Sequence, residues 1–150
     1  MWRIFGLIFF EDKDHFLDLP NKRFKEQQIL DFLTEIGVAI FDTAYQVKRL
    51  QGNASDKFLE IVTATDLSQL LGQIPMCHTI MTTGDKATDT LMQHFPEQIN
   101  KPMIGQSVEV NYANRELNLY RVPSSSRAYP LALDKKADAY KQFFQTIGLL

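Results

Sequence analysis

The sequence predicts an α/β protein, a three-layer α/β/α sandwich around a mostly parallel central sheet. Three observations predict it. Apolar residues recur at helical spacing near both ends of the chain and again between them. Short apolar runs that end in polar residues or glycine alternate with those helical segments, as in sheets covered by helices. Finally, Val108, Val110 and Tyr112 alternate with polar residues just before a second apolar run, which is the pattern of a hairpin.

The elements follow in order. Trp2, Phe5 and Phe9 share one face of a first helix. The apolar run before Glu11 is far short of the roughly 20 residues needed to span a bilayer, so it predicts a buried helix and no membrane segment. Ile29, Leu33 and Ile36 form a second helical stripe, and Gly37 stands where a left-handed cap would end it. Residues 38–41 read as a buried strand with Asp42 and Thr43 at its polar exit, then a helical or irregular stretch to Leu50 and a loop at 52–56. Thr65 is placed to cap a short helix beginning at Asp66. Residues 79–82 read as a second strand ending at Gly84, followed by a helix with Ala87, Leu91 and Phe95 inward. Residues 113–115 turn the hairpin, and residues 117–122 return as its second strand. Ala137, Tyr140, Phe144 and Ile147 mark a closing amphipathic helix, with Asp134 at its start.

Length and composition bound the function. A chain of 150 residues is expected to form one domain, 1–150, burying roughly 70% of the surface its unfolded form exposes. The lone Cys77 excludes an internal disulfide and fits a reducing compartment, so the expected location is cytoplasmic. The net charge of −2 gives no global signature of nucleic-acid binding. Its distribution is uneven: residues 1–100 hold 9 Lys/Arg against 14 Asp/Glu, whereas residues 101–150 hold 7 against 4.

The basic end carries the most informative segment, Pro123, Ser124, Ser125, Ser126 and Arg127. In open α/β sheets, ligands bind where strands end and loops converge. Three serines offer hydroxyl and backbone donors without bulk, and Arg127 adds a charge, a set suited to gripping phosphate oxygens. An ordinary polar turn has the same composition. Asp42 suits acceptance from a base edge or general-base work, and equally a turn or cap. His15, His78 and His94 have no metal-like spacing, so no metal or cofactor is expected. No G-x-S-x-G or glycine-rich phosphate motif occurs.

Three stretches together resemble the uracil-DNA glycosylase superfamily, in its bacterial branch of mismatch-specific and hypoxanthine-type DNA glycosylases. They are MWRIFGLIFF at 1–10, GVAIFDTAYQVKRLQGNASD at 37–56 and YRVPSSSRAYPLALDKKADAYKQFF at 120–144. The resemblance implies a uracil-DNA glycosylase-like sandwich, DNA as the partner, and a damaged or deaminated base as the substrate. Such enzymes flip the nucleotide out and hydrolyse its N-glycosidic bond. Pro123, Ser124, Ser125 and Ser126 would pinch the backbone, with Ser124 and Ser126 on phosphates, Arg127 would approach the gap left by the extruded base, and Asp42 and Thr43 would line the base pocket. Val122 stands where uracil-specific members have histidine, and Asp42 where they have asparagine. An ionised Asp42 accepts but does not donate, which favours a base presenting N–H groups over uracil. In the family, the first strand and the water-positioning motif precede the helix that MWRIFG resembles. The resemblance therefore places the catalytic residues and one strand upstream of Met1, with activity reduced or lost in this chain. Two other functions fit the same loop: a non-catalytic nucleic-acid binder, and an α/β enzyme that binds a nucleotide or another small phosphate.

Overall fold

The computed structural model describes residues 1–49 and 59–150, so the loop predicted at 52–56 lies outside the described residues. The fold is mixed α/β, with five helices and three small sheets among the described residues. The chain divides into two compact units, Met1–Phe41 with Ser125–Leu150, and Asp42–Ser124.

In the first unit, helix α1 (Trp2–Phe10) buries Ile4, Phe5 and Gly6. Its aromatic residues meet those of two other helices, α2 (Glu26–Glu35) and α5 (Leu133–Thr146). Phe5 and Phe9 lie 5.4 and 5.1 Å from Phe144, edge on, and Phe9 lies 5.0 Å from Phe32. Edge-to-face geometry sets the positive rim of one ring against the negative face of another, so the cluster gains electrostatically beyond its burial. Tyr140 and Phe144 of α5 are fully buried, as the apolar periodicity predicts. Helix α2 ends as expected: Gly37 takes a φ of 67°, Gly37 N–H donates to Thr34 O and Val38 N–H to Leu33 O. Those two bonds form a Schellman motif. The minimal strands β1 (Leu17–Asp18) and β2 (Arg23–Phe24) pair between the helices.

Gly6 allows the segment after α1 to fold back on the helix. Asp12 N–H donates to Gly6 O at 3.2 Å, and a Cβ on Gly6 would run into the Asp12 carbonyl oxygen. His15 then stacks on Phe10 with ring centroids 3.7 Å apart.

In the second unit, β3 (Ala44–Arg49) and β4 (Leu59–Ala64) form an antiparallel pair. The short helix α3 (Leu67–Gln73) follows. Strands β5 (Thr79–Thr83), β6 (Ser107–Tyr112) and β7 (Arg115–Val122) make the largest sheet, in the order β5-β7-β6. β7 runs parallel to β5 and antiparallel to β6. The predicted hairpin is present. Ala113 and Asn114 both take positive φ, 50° and 61°, the requirement of a type I′ two-residue turn. Helix α4 (Asp85–Met92) lies beside β5 in sequence, and Leu91 and Phe95 join Leu67, Leu71, Val110, Leu117 and Leu119 in this unit's core.

Three expectations are corrected. Residues 38–41 form no strand, and Ile40 and Phe41 are 40% and 55% exposed. Val38 N–H is used to close α2, so it is not available to a strand ladder at the start of that run. The stretch expected to be helical or irregular after Thr43 is instead β3. Asp66, not Thr65, caps α3: its carboxylate accepts from Gln69 N–H at 3.0 Å, while Thr65 Oγ1 donates to Asp42 O at 2.7 Å. Among the described residues no helix is long and apolar enough to cross a membrane.

Two helical glycines give opposite predictions. Gly6→Ala should destabilise by about 1–3 kcal/mol through overpacking against Asp12. Gly72→Ala, where an added Cβ meets nothing within 4 Å, should stabilise by about 0.5–1 kcal/mol. Urea unfolding midpoints of the two variants would check both signs.

Candidate functional site

Within the second unit, the carboxyl ends of two parallel strands come together. Thr83 pairs with Val122, and Gly84 N–H donates to Val122 O at 3.0 Å. Beyond that bond, Pro123 is fully buried and Ser124 half-buried. Gly84 takes a φ of 89°, and a Cβ there would lie 2.9 Å from Ser124 Cβ. Glycine is required at this position on both counts, by its φ and by the approach of the serine. The Thr82, Thr83, Gly84 exit and the Pro123, Ser124 exit are thus adjacent, as strand order and direction dictate.

A cavity of about 160 Å³ opens in the same unit, lined among others by Asp42, Thr43, Thr65, Thr82, Thr83 and His94. Asp42 and Thr43 therefore stand where a ligand could be read, although no strand delivers them. Their backbone is held instead by Thr65, whose N–H donates to Thr43 O at 3.1 Å and whose hydroxyl donates to Asp42 O. The Asp42 carboxylate is exposed and makes no hydrogen bond or ion pair among the described residues. Thr82 and Thr88 share a hydroxyl hydrogen bond at 2.8 Å, and Thr88 donates to Gly84 O, which braces the end of β5 against the start of α4. A wider groove of about 950 Å³ on the first unit, lined by Trp2, Arg23, Phe24, Leu33 and Ile40 among others, contains none of the predicted site residues.

The charges beside β5 are already committed. Asp85, at the first turn of α4, accepts from Lys101 Nζ at 3.0 Å and Arg121 Nη2 at 2.7 Å, and Lys101 also reaches Asp89 at 2.7 Å. Its hydrogen bond from Lys101 holds the Asp85 carboxyl below the usual carboxylate range, with the charges of Arg121 and Lys101 adding to the effect. The same contacts, that with Asp89 first, raise Lys101 above the usual lysine value.

The remaining predicted residues, Ser125, Ser126 and Arg127, belong to the first unit. Arg127 is exposed. Ser126 builds a compact turn: its Oγ accepts from Ala128 N–H at 3.2 Å and its carbonyl from Tyr129 N–H at 3.2 Å. Lys136 completes it, donating from Nζ to Ser126 O at 2.7 Å and Tyr129 O at 3.2 Å, while 96% buried. The sequence signal for Lys136 was its place on the inner stripe of α5 with Tyr140 and Phe143, where a lysine is out of character. Thr65 and His94 were also missed, because only the fold brings them to the cavity. Among the described residues no group of three or more His, Cys, Asp or Glu side chains is placed to hold a metal ion.

The geometry makes two predictions. Gly84→Ala should cost about 1–3 kcal/mol of stability from its glycine-only backbone conformation alone, with the Ser124 contact adding to it, measured by thermal or urea unfolding. Because the folded-state pKa of Asp85 is lowered, its stabilising contribution is present above the ordinary carboxylate pKa and lost as pH falls through the folded value. The stability difference between wild type and Asp85→Asn should accordingly be full near neutral pH and shrink as the pH falls below the ordinary carboxylate range. Comparison of the chain with protein-family models, curated proteins and solved structures yields no match.

Proposed function

We propose that the chain is a DNA glycosylase-like protein, one that binds DNA at a damaged or deaminated base and acts in the cytoplasm without metal or cofactor. The supporting observation is the cavity that Asp42 and Thr43 line in the unit where Gly84 packs against Ser124. A cavity of about 150 Å³ accommodates a benzene-sized ring, so the 160 Å³ here suits a single-ring portion of an extruded base. Asp42 would accept hydrogen bonds from the N–H groups of that base. Ser124 would approach a phosphate from the strand end, and Ser126 and Arg127 would do so from their own turn. The three-stranded sheet is, in this reading, the ligand-bearing part of a three-layer sandwich around a mostly parallel sheet.

The reaction would break the bond between the base and C1′ of the sugar. The bonding pair leaves with the base, the oxygen of water bonds to C1′, and a proton of that water passes to the departing base. Phosphate contacts and base recognition supply binding, whereas no described residue is assigned to position that water. The binding half of the reading consequently stands without the hydrolytic half, and a non-catalytic binder is its direct alternative.

Fluorescence anisotropy with a duplex carrying an abasic site tests the binding half. Binding is expected at low salt and should weaken as salt rises. Arg127→Ala should lower the slope of log affinity against log salt by about 1, and Ser124→Ala should weaken binding at every salt concentration. Absence of binding at low salt overturns the proposal. Duplexes with hypoxanthine, xanthine or uracil, followed by alkaline treatment, test the hydrolytic half. Any cleavage is expected to be slow and to favour hypoxanthine or xanthine over uracil.

A further inference from the structure

We infer that Lys136 is the positioning residue of the loop at 126–129, holding its backbone in the form that presents Arg127 and Ser126 to a phosphate; the inference rests on the DNA-binding reading of that loop.

Lys136 sits where a lysine is disfavoured on three counts. It is only 4% exposed, and buried charge is costly unless it is paired or has a task. It has no carboxylate within ion-pair distance among the described residues. It also lies in the fourth position of α5, near the positive end of the helix dipole, where a cation is repelled. A methionine or leucine would satisfy the same apolar stripe, with Tyr140 and Phe143 one and two turns on.

What the ammonium does is hold two carbonyls of one turn. It donates to Ser126 O and Tyr129 O, and lies 5.6 Å from the centre of the Tyr129 ring. Those carbonyls also accept from the turn itself, Ser126 O from Tyr129 N–H and Tyr129 O from Leu131 N–H at 2.8 Å. A single buried cation therefore closes both hydrogen-bonded loops between Ser126 and Leu131. Arg127, between the clamped carbonyls, stays exposed. Among the described residues no carboxylate pairs with this cation, so its charge adds to that of the exposed Arg127 in the same loop.

The test separates positioning from DNA binding. Hydrogen exchange is followed at the Tyr129 and Leu131 amides in wild type, Lys136→Met, Lys136→Arg and the control Lys135→Met, a residue whose side chain is 71% exposed. Lys136→Met should speed exchange of those two amides at least tenfold while Phe143 and Phe144 amides stay unchanged. Lys136→Arg should restore most of the protection, and Lys135→Met should change nothing. Should Lys136→Met fail to fold, Lys136→Gln, too short to reach both carbonyls, is read in the same way. Unchanged loop exchange, or a uniform rise along α5, overturns positioning. On the abasic duplex, Lys136→Met should weaken binding about tenfold, and adding Arg127→Ala to it should weaken binding little further. Additive losses from the two substitutions would overturn the coupling. Loop exchange that responds as expected, with no DNA binding by wild type, overturns the DNA reading and removes the phosphate from the role of Lys136.

Discussion

The hydrogen-bonded ladder on both edges of β7 is the constraint on which the second unit depends. One edge carries the parallel pairing with β5, the other the antiparallel pairing with β6. A strand bonded on both sides has no freedom of register, because a one-residue slip would turn Leu117 and Leu119 out of this unit's core. Fixed register at Val122 fixes where Pro123 and Ser124 emerge. It also fixes Gly84, whose N–H completes the ladder at that point. The candidate site is in this sense a by-product of sheet registry, with side chains added where the ladder ends.

The first unit has no comparable ladder, and its order comes from packed rings. Phe5, Phe9, Phe32 and Phe144 contact one another at angles between 62° and 83°. Such a cluster fixes the mutual orientation of three helices through packed aromatic rings. The buried charged residue of α5, Lys136, lies toward the opposite end of that helix from Phe144, next to the loop it holds. Packing and loop geometry are thereby assigned to different ends of one element.

Long-period patterns were legible in the sequence, and short ones were misread. Trp2, Phe5 and Phe9, then Ile29, Leu33 and Ile36 with Gly37, then Ala137, Tyr140 and Phe144 each span two turns or more, enough to fix the helix and its inner face. The hairpin was legible because alternation, turn residues and return strand all agree. Residues 38–41 misled because an apolar tetrapeptide carries no information about whether a neighbour exists to pair with it. The actual strand, with Tyr45 and Val47 alternating with Gln46 and Lys48, looks half-polar, and so the sequence reads there as helical or irregular. Asp42 and Thr43 were picked out for a reason that failed, the exit of a strand, yet line a cavity because Thr65 anchors their carbonyls. Lys136 was hidden by the success of the apolar pattern around it.

The tight turn at Ala113 and Asn114 bears on the order of assembly. It joins β6 and β7 through two residues, so their pairing closes the shortest chain loop in the sheet and, as hairpins do, forms within about 1–10 μs. Pairing of β7 with β5 joins Thr79 to Asn118 across the whole of α4 and β6, and so comes with a much larger closure entropy. The strand that delivers Pro123 is therefore shaped first by its antiparallel partner, and the β5 end closes on a loop whose starting point is already set. Synthesis runs the other way: β5 leaves the ribosome before β7 exists, and waits with Ile80 and Met81 uncovered until the hairpin is complete.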